Sequence, residues 1–290
     1  MKITDMLTAS KQMLSFEVFP PKTETVFESV SEAALKIATL HPSFISVTYG
    51  AGGGTSQYTL DLARRIRETT GVEAMAHLTC VSSTRETIHE RIEEIHAAGI
   101  SNVMALRGDL PKDGVPGTDY HHACELIAEL RATGYDLCIG SACYPEVHPE
   151  SKNQKADIAA LRLKAEAGCD FFTTQMFFDN HLLFNFLYKI REAGISVPVF
   201  PGIMPITSKK QIEQVLRLSN AYLPQRFRSL MDRYGDSEPA MRQAGIIYAT
   251  EQIIDLYANG IQVVHVYTMN KPDIAEAIQR NLSDIIGMPL

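Results

Sequence analysis

Short apolar runs and amphipathic helical stretches alternate along this chain. A small or polar residue followed by Gly closes a helical stretch, and an apolar run follows within a few residues. The pattern occurs at Thr70-Gly71, Ala98-Gly99, Thr133-Gly134, Ala167-Gly168, Ala193-Gly194 and Asn259-Gly260. Each glycine is placed to end its helix in the left-handed conformation. The runs that follow predict strands at Glu73–Thr79, Asn102–Arg107, Leu137–Tyr144, Phe171–Phe177, Val197–Ile203 and Val263–Thr268. Leu14–Phe19 and Phe44–Tyr49 add two strands upstream, which makes eight. Runs bounded by Gly and Pro and lacking polar alternation suit strands of a parallel sheet, buried on both faces.

Between the runs, Ile88, Ile92 and Ile95 share one helix face, as do Ile158, Leu161 and Ala165, and Leu182, Leu183 and Phe186. Ser83 with Glu86, and Ser208 with Gln211, have the spacing of capping boxes. Eight β and α units in alternation predict an α/β fold, a (β/α)8 TIM barrel, as one domain over 1–290. An extra segment, Ser219 to Glu238, interrupts the rhythm before the long helix Pro239–Ala258 and the last strand. A doubly wound sheet is the alternative and explains eight strands less well.

The composition agrees with a large soluble core. The chain has 290 residues, of which 45% are hydrophobic, and a net charge of −7. No Lys/Arg run marks a nucleic-acid face, and no apolar run approaches the roughly 18 residues of a membrane helix. Met1-Lys2-Ile3-Thr4-Asp5 has no signal-peptide core, so the expected location is cytoplasmic. The five cysteines include no CxxC pair, which argues against structural disulfides.

In a barrel, sites are built at the carboxyl ends of the strands. Polar and ionisable residues gather there. The stretch Val103–Pro111 runs from apolar residues straight into Arg107-Gly108-Asp109. Whether Arg107 and Asp109 form a structural ion pair or face a ligand is open at this point. Glu17 is flanked by Phe16, Val18 and Phe19, and burial there would make it a usable general acid. The competing role is a carboxylate paired with an arginine inside the barrel. The run Gly50–Gly54 fits neither GxGxxG nor a P-loop. His77, Cys80, Cys143 and His148 match no closed zinc spacing, so no metal is expected.

The strand ends also carry a resemblance. They read Ser-Phe-Glu-Val-Phe-Pro-Pro (15–21), Ser-Val-Thr-Tyr-Gly-Ala (46–51), His-Leu-Thr-Cys (77–80), Leu-Arg-Gly-Asp-Leu-Pro (106–111), Tyr-Pro-Glu-Val-His-Pro-Glu (144–150), Thr-Gln-Met-Phe-Phe-Asp (174–179), Pro-Gly-Ile-Met-Pro (201–205) and Tyr-Thr-Met-Asn (267–270). In order and over essentially the whole chain, these segments resemble methylenetetrahydrofolate reductase. The resemblance implies a barrel that holds FAD without a Rossmann motif and reduces 5,10-methylenetetrahydrofolate to 5-methyltetrahydrofolate. NADH or NADPH would be the electron donor, each ligand meeting the flavin in turn in ping-pong fashion.

Residue by residue, Glu17 matches the family's general acid. Asp109 matches the aspartate near flavin and pterin, with a catalytic, a cofactor-binding and a substrate-binding role. Thr48, Tyr49, Ala51, His77, Arg107, Gly108, Tyr144, His148, Asp157 and Lys164 match FAD-contacting positions. Gln175 matches a residue that meets folate and nicotinamide, Gln211 a folate-side position that competes with its capping role, and Lys271 a substrate-side cation. Lys271 replaces a common arginine and loses bidentate geometry. Ala160 and Leu163 stand where many members carry Asn and Arg against FAD, with Arg162 adjacent, and Val215 replaces a frequent aromatic. The resemblance further implies a homo-oligomer and allows an iron–sulfur partner subunit. The rival readings are a metal-dependent barrel lyase or aldolase, and a folate- or flavin-binding subunit without catalysis.

Overall fold

A computed structural model of the chain describes residues 1–7, 11–49, 56–110, 117–219 and 221–287. Its strands are β1 (Met13–Val18), β2 (Ile45–Val47), β3 (Ala74–Thr79), β4 (Asn102–Leu106), β5 (Cys138–Cys143), β6 (Phe171–Thr174), β7 (Val199–Phe200), β8 (Gly202–Ile203) and β9 (Val263–Tyr267). All pair in parallel, in the order β7-β6-β5-β4-β3-β2-β1-β9-β8.

The expected strand Val197–Ile203 is split in two at Pro201. Proline has no N–H to give to a ladder. β7 therefore pairs back to β6, and β8 pairs forward to β9. The Pro201 carbonyl accepts from His265 N at 2.8 Å, and Gly202 N donates to Thr174 Oγ1 at 2.8 Å. One broken stave thus closes the ring, and the architecture is the expected (β/α)8 barrel. The extra segment before the last strand is present too, as helix Gln225–Tyr234 ahead of helix Glu238–Ala258.

All six helix-ending glycines have positive φ, from 68° at Gly99 to 102° at Gly168. Their lack of a Cβ is what lets the chain turn from helix into strand there. The cap expected at Ser83 lies one residue later. Thr84 is extended and accepts from Thr87 N at 3.2 Å, because Ser83 N already closes a turn on the Cys80 carbonyl. At helix Lys209–Leu218 the cap is Ser208, as expected, but Gln211 reaches Thr207 N rather than the cap's own N–H.

Strand residues alternate between two apolar layers. Met13, Phe44, Met75, Met104, Cys138, Phe171, Phe200 and Val263 fill the amino-terminal half of the barrel, with Ile3 of the short helix Ile3–Met6 packed against them. The intervening residues, such as Leu14, Phe16, Val103 and Val264, meet the surrounding helices. A third cluster, built on Phe178, Ile212, Phe227, Met241 and Tyr248, seats the extra helices. All five cysteines are free, and no helix among the described residues is long and apolar enough to cross a membrane.

Gly245 of helix Glu238–Ala258 lies directly on the Ile206 carbonyl, where an added Cβ would overlap the oxygen. Gly245→Ala is expected to destabilise the fold by about 3 kcal/mol in urea unfolding. Gly134→Ala, with open space but φ of 73°, should cost about 1–2 kcal/mol. Equal costs would show that the helix does not pack backbone to backbone there.

Candidate active site

Above the apolar layer the barrel interior turns polar on one side. Inward positions of a strand recur every second residue, so Met13, Ser15 and Glu17 share a face of β1, and Val263, His265 and Tyr267 share one of β9. In register, Ser15 lies beside His265 and Glu17 beside Ser46. The result is a buried chain of hydrogen bonds. Ser15 Oγ is 2.7 Å from His265 Nδ1, His265 Nε2 is 3.0 Å from Ser46 Oγ, and Ser46 Oγ donates to Glu17 Oε2 at 3.3 Å. Phe44 stacks on His265 from the apolar side, ring centroids 5.8 Å apart.

This chain serves Glu17 in either protonation state. When Glu17 is ionised, Ser46 donates to it and accepts Nε2–H of a neutral His265, whose Nδ1 accepts from Ser15. When Glu17 is protonated, the order reverses and ends with Ser15 donating to the Val264 carbonyl at 3.3 Å. No donor is stranded in either arrangement. A buried carboxylate left alone costs several kcal/mol, more than the roughly 1.5–3 kcal/mol of one charge-assisted hydrogen bond. The whole chain is therefore needed, not Ser46 alone. An arginine does not pair with Glu17: its ion-pair contacts among the described residues are His77 and His265, each with Nε2 at 3.6 Å.

His77 completes the cluster. Its Nε2 is buried and has no hydrogen-bond partner. Burial holds its imidazole down at about 4, against an ordinary 6.5, with the Glu17 charge opposing the shift and His265 adding to it. Tyr267 closes the interior from above. Its hydroxyl donates to the Thr174 carbonyl at 2.5 Å and is pushed well above the usual phenol range, first by burial and then by Glu17. Asn270 clamps the ends of β1 and β9 together through Phe19 N and O, at 2.7 and 2.9 Å.

The remaining candidates ring the mouth. Asp109 is exposed, and Arg107 does not pair with it. Arg107 instead makes a bidentate ion pair with Glu150, at 2.6 Å on both nitrogens. Thr48 and Tyr49 are half-buried at the end of β2, and Ala51 lies outside the described residues, as does the run Gly50–Gly54. Gly108, φ 89°, sits against Thr79, where a Cβ would come within 2.9 Å of the threonine Cβ. Tyr144 and His148 meet edge to face at 4.5 Å. Asp157 is buried and accepts from Ser151 Oγ at 2.8 Å. Lys164 Nζ donates to the Ala142 carbonyl at 2.7 Å, and burial lowers its ammonium pKa. Arg162 donates to the Ala193 carbonyl, so its guanidinium is engaged with the neighbouring helix, and Leu163 is exposed.

Across the mouth, Gln175 N donates to the Cys143 carbonyl, and its carboxamide oxygen accepts from Met176 N at 3.0 Å. Lys271 Nζ reaches Thr207 Oγ1 at 3.3 Å. Gln211 accepts from Thr207 N and donates to the Pro205 carbonyl, so its side chain is spent on shaping this loop. Val215 is buried beneath it. Ser15, Ser46 and Glu150 lie within the strand-end segments but carry no assigned role in the sequence, and His265 lies outside them. Ser15, Ser46 and His265 were visible as polar residues at inward, alternate positions of apolar strands. Among the described residues, no group of three or more His, Cys, Asp or Glu side chains is arranged to hold a metal ion.

This arrangement is a buried, hydrogen-bonded carboxyl group beneath a mouth lined by cations and aromatics. The family model for methylenetetrahydrofolate reductase matches residues 2–283. The chain belongs to the methylenetetrahydrofolate reductase family. It is 35% identical to 5,10-methylenetetrahydrofolate reductase of Pectobacterium carotovorum subsp. carotovorum, covering 93% of this chain and 89% of that one. It is 33% identical to the Escherichia coli (strain K12) enzyme of the same name, covering 93% and 90%. Methylenetetrahydrofolate reductase (NADH) 1 of Zea mays is 36% identical over 97% of this chain but 50% of its own length, so the chain spans half of the maize protein. A protein from Clostridium thermocellum that binds two copies of 5-methyl-5,6,7,8-tetrahydrofolic acid has the same fold, at TM-score 0.66 and 13% identity over 100% of both chains.

In this reductase-family barrel, His77 gives a pH signature. Its folded affinity for protons is below that of the unfolded chain, so its contribution to stability is intact above pH 6.5 and is lost as pH falls towards 4. The loss is on the order of 3 kcal/mol. Denaturant titrations over this window should show a steeper pH dependence in the parent than in His77→Asn. Parallel curves would mean that His77 is not buried neutral.

Proposed function

We propose that this chain reduces 5,10-methylenetetrahydrofolate to 5-methyltetrahydrofolate, with FAD as carrier, NADH or NADPH as electron donor and Glu17 as the general acid. Family membership supports the reaction class. The observation that carries the residue assignment is the buried chain Ser15–His265–Ser46–Glu17, which matches both protonation states of one carboxyl group.

The residues fit a flavin nucleotide. His77 Nε2 is a buried polar atom without a partner, and the half-buried Lys164 ammonium meets the Ala142 carbonyl and has further N–H groups to offer. His77 lies in β3 and Lys164 in the last turn of the helix Gln154–Glu166, while Thr48, Tyr49, Tyr144 and His148 at strand ends offer hydrogen bonds and ring faces. Arg107 and Lys164 would carry the charge complement of the phosphates. When bound, the flavin supplies reversible two-electron transfer between nicotinamide and folate.

The chain's own part is acid catalysis and positioning. Glu17 protonates a folate nitrogen so that the methylene bridge opens to a cation able to accept hydride. Ser46 and His265 hold Glu17 in place and rearrange their hydrogen bonds as it loses and regains the proton. Asp109, exposed at the mouth next to Arg107, meets the pterin, and its negative charge favours the cationic intermediate. Gln175 faces both planar ligands in turn. Lys271, with Thr207 at 3.3 Å, lies on the side assigned to the folate tail. A homo-oligomer and, in place of nicotinamide, an iron–sulfur partner as donor belong to the same reading.

Glu17→Gln separates the two halves of this mechanism. In anaerobic stopped flow, the variant should bind FAD and be reduced by the nicotinamide at near the parent rate. Its reoxidation by methylenetetrahydrofolate should fall by about 10²–10⁴-fold. Normal turnover of folate would remove Glu17 from the acid role. His265→Asn should show a smaller loss confined to the folate half-reaction, with a changed pH profile. An unchanged profile would make His265 a packing residue only.

A further inference from the structure

The loop that follows β5 is held under tension at the mouth. Val147 has φ of 72°, a left-handed conformation that a β-branched residue adopts only when its surroundings enforce it. Two carboxylates tie the loop down on either side of Val147. Glu146 Oε2 accepts from Tyr222 N at 2.6 Å, and Glu150 takes both outer nitrogens of Arg107 at 2.6 Å. His148 Nδ1 accepts from Glu150 N at 3.1 Å, which orients the backbone that carries the carboxylate. Arg107 Nε donates to the Gly108 carbonyl, so every nitrogen of its fork is engaged.

That leaves a conflict. Arg107 is one of the cations at the mouth suited to a phosphate, yet its bidentate face is filled by a carboxylate of the same chain. Carboxylate and phosphate present nearly the same pair of oxygens to a guanidinium. The Glu150 side chain is about half exposed, at 51%, against 23% for Arg107. The anion can therefore swing out into solvent while the cation stays in the wall. An ion pair this exposed is worth little and is readily exchanged.

We propose that Glu150 is a stand-in anion: it pairs with Arg107 and yields this position to the pyrophosphate of FAD when the cofactor binds. The inference rests on the flavin reading above and deepens it. Glu150 keeps the Arg107 fork in one geometry and tethers the loop after β5 to the end of β4, at the expense of cofactor affinity. No bond is made or broken; one anion replaces another on the same donors.

The test is flavin binding, read without turnover. Flavin-stripped parent, Glu150→Gln and Glu150→Asp would be titrated with FAD and with riboflavin, which lacks phosphate, by flavin fluorescence and by calorimetry. Glu150→Gln should bind FAD about fivefold tighter at low salt, with the gain shrinking as salt rises. Glu150→Asp, too short to span both nitrogens from the same backbone, should show a smaller gain. Riboflavin should bind all three chains alike. Inorganic pyrophosphate should compete with FAD at lower concentration in Glu150→Gln than in the parent. Unchanged or weaker FAD binding in Glu150→Gln, in a chain whose circular dichroism matches the parent, would overturn the exchange and make Glu150 a support for bound cofactor. Failure of the parent itself to bind FAD would overturn the flavin reading, and this inference with it.

Discussion

A carboxylate buried in the wall of a barrel needs company, and the structure around Glu17 is arranged to supply it. The amino-terminal half of the interior is closed by an apolar layer from Met13 to Val263. Directly above, Ser15, Ser46, His77 and His265 replace apolar side chains at inward positions. Each substitution of polar for apolar gives up core packing that a barrel otherwise uses for stability. The pattern suits a buried carboxyl group that must stay hydrogen-bonded whether ionised or neutral. The neighbours then have to accept both states without leaving a donor unmatched.

The closure of the barrel follows from the same place. His265 sits between Ser15 and Ser46 only because β9 pairs with β1 in a register that brings residue 265 beside residue 15. That register is pinned from the other side by the Pro201 carbonyl, which accepts from His265 N, and from above by the Asn270 clamp on Phe19. The break in the seventh stave is therefore part of the site. It lets Gly202 approach Tyr267 closely enough that no side chain would fit between them.

Much of the fold was legible in the chain because its signals are local. Left-handed glycines after six helices and apolar runs of fixed polarity need no knowledge of distant partners. The site was legible more unevenly. Glu17, Arg107 and Gln175 stand out at strand ends. His265 and Ser46 do not, since their meaning depends on which residues lie across the ladder, more than two hundred positions away for His265 and Ser15. The pairing of Arg107 with Glu150 rather than with Asp109 depends in the same way on the path of a loop 43 residues downstream. Gln211 shows the opposite case. Its spacing from Ser208 announced a cap, and its side chain is indeed used locally, on Thr207 and Pro205. The shift from Ser83 to Thr84 reflects two adjacent hydroxyls with equal capping chemistry, decided by the turn at Cys80.

The central claim is that one site passes electrons to a folate while Glu17 supplies the proton. The most direct measurement is an anaerobic visible spectrum of the purified chain loaded with FAD. The flavin is reduced chemically and then mixed with 5,10-methylenetetrahydrofolate. The account predicts that the oxidised flavin band returns as 5-methyltetrahydrofolate forms in equal amount. A flavin that stays reduced in the presence of saturating folate would contradict it.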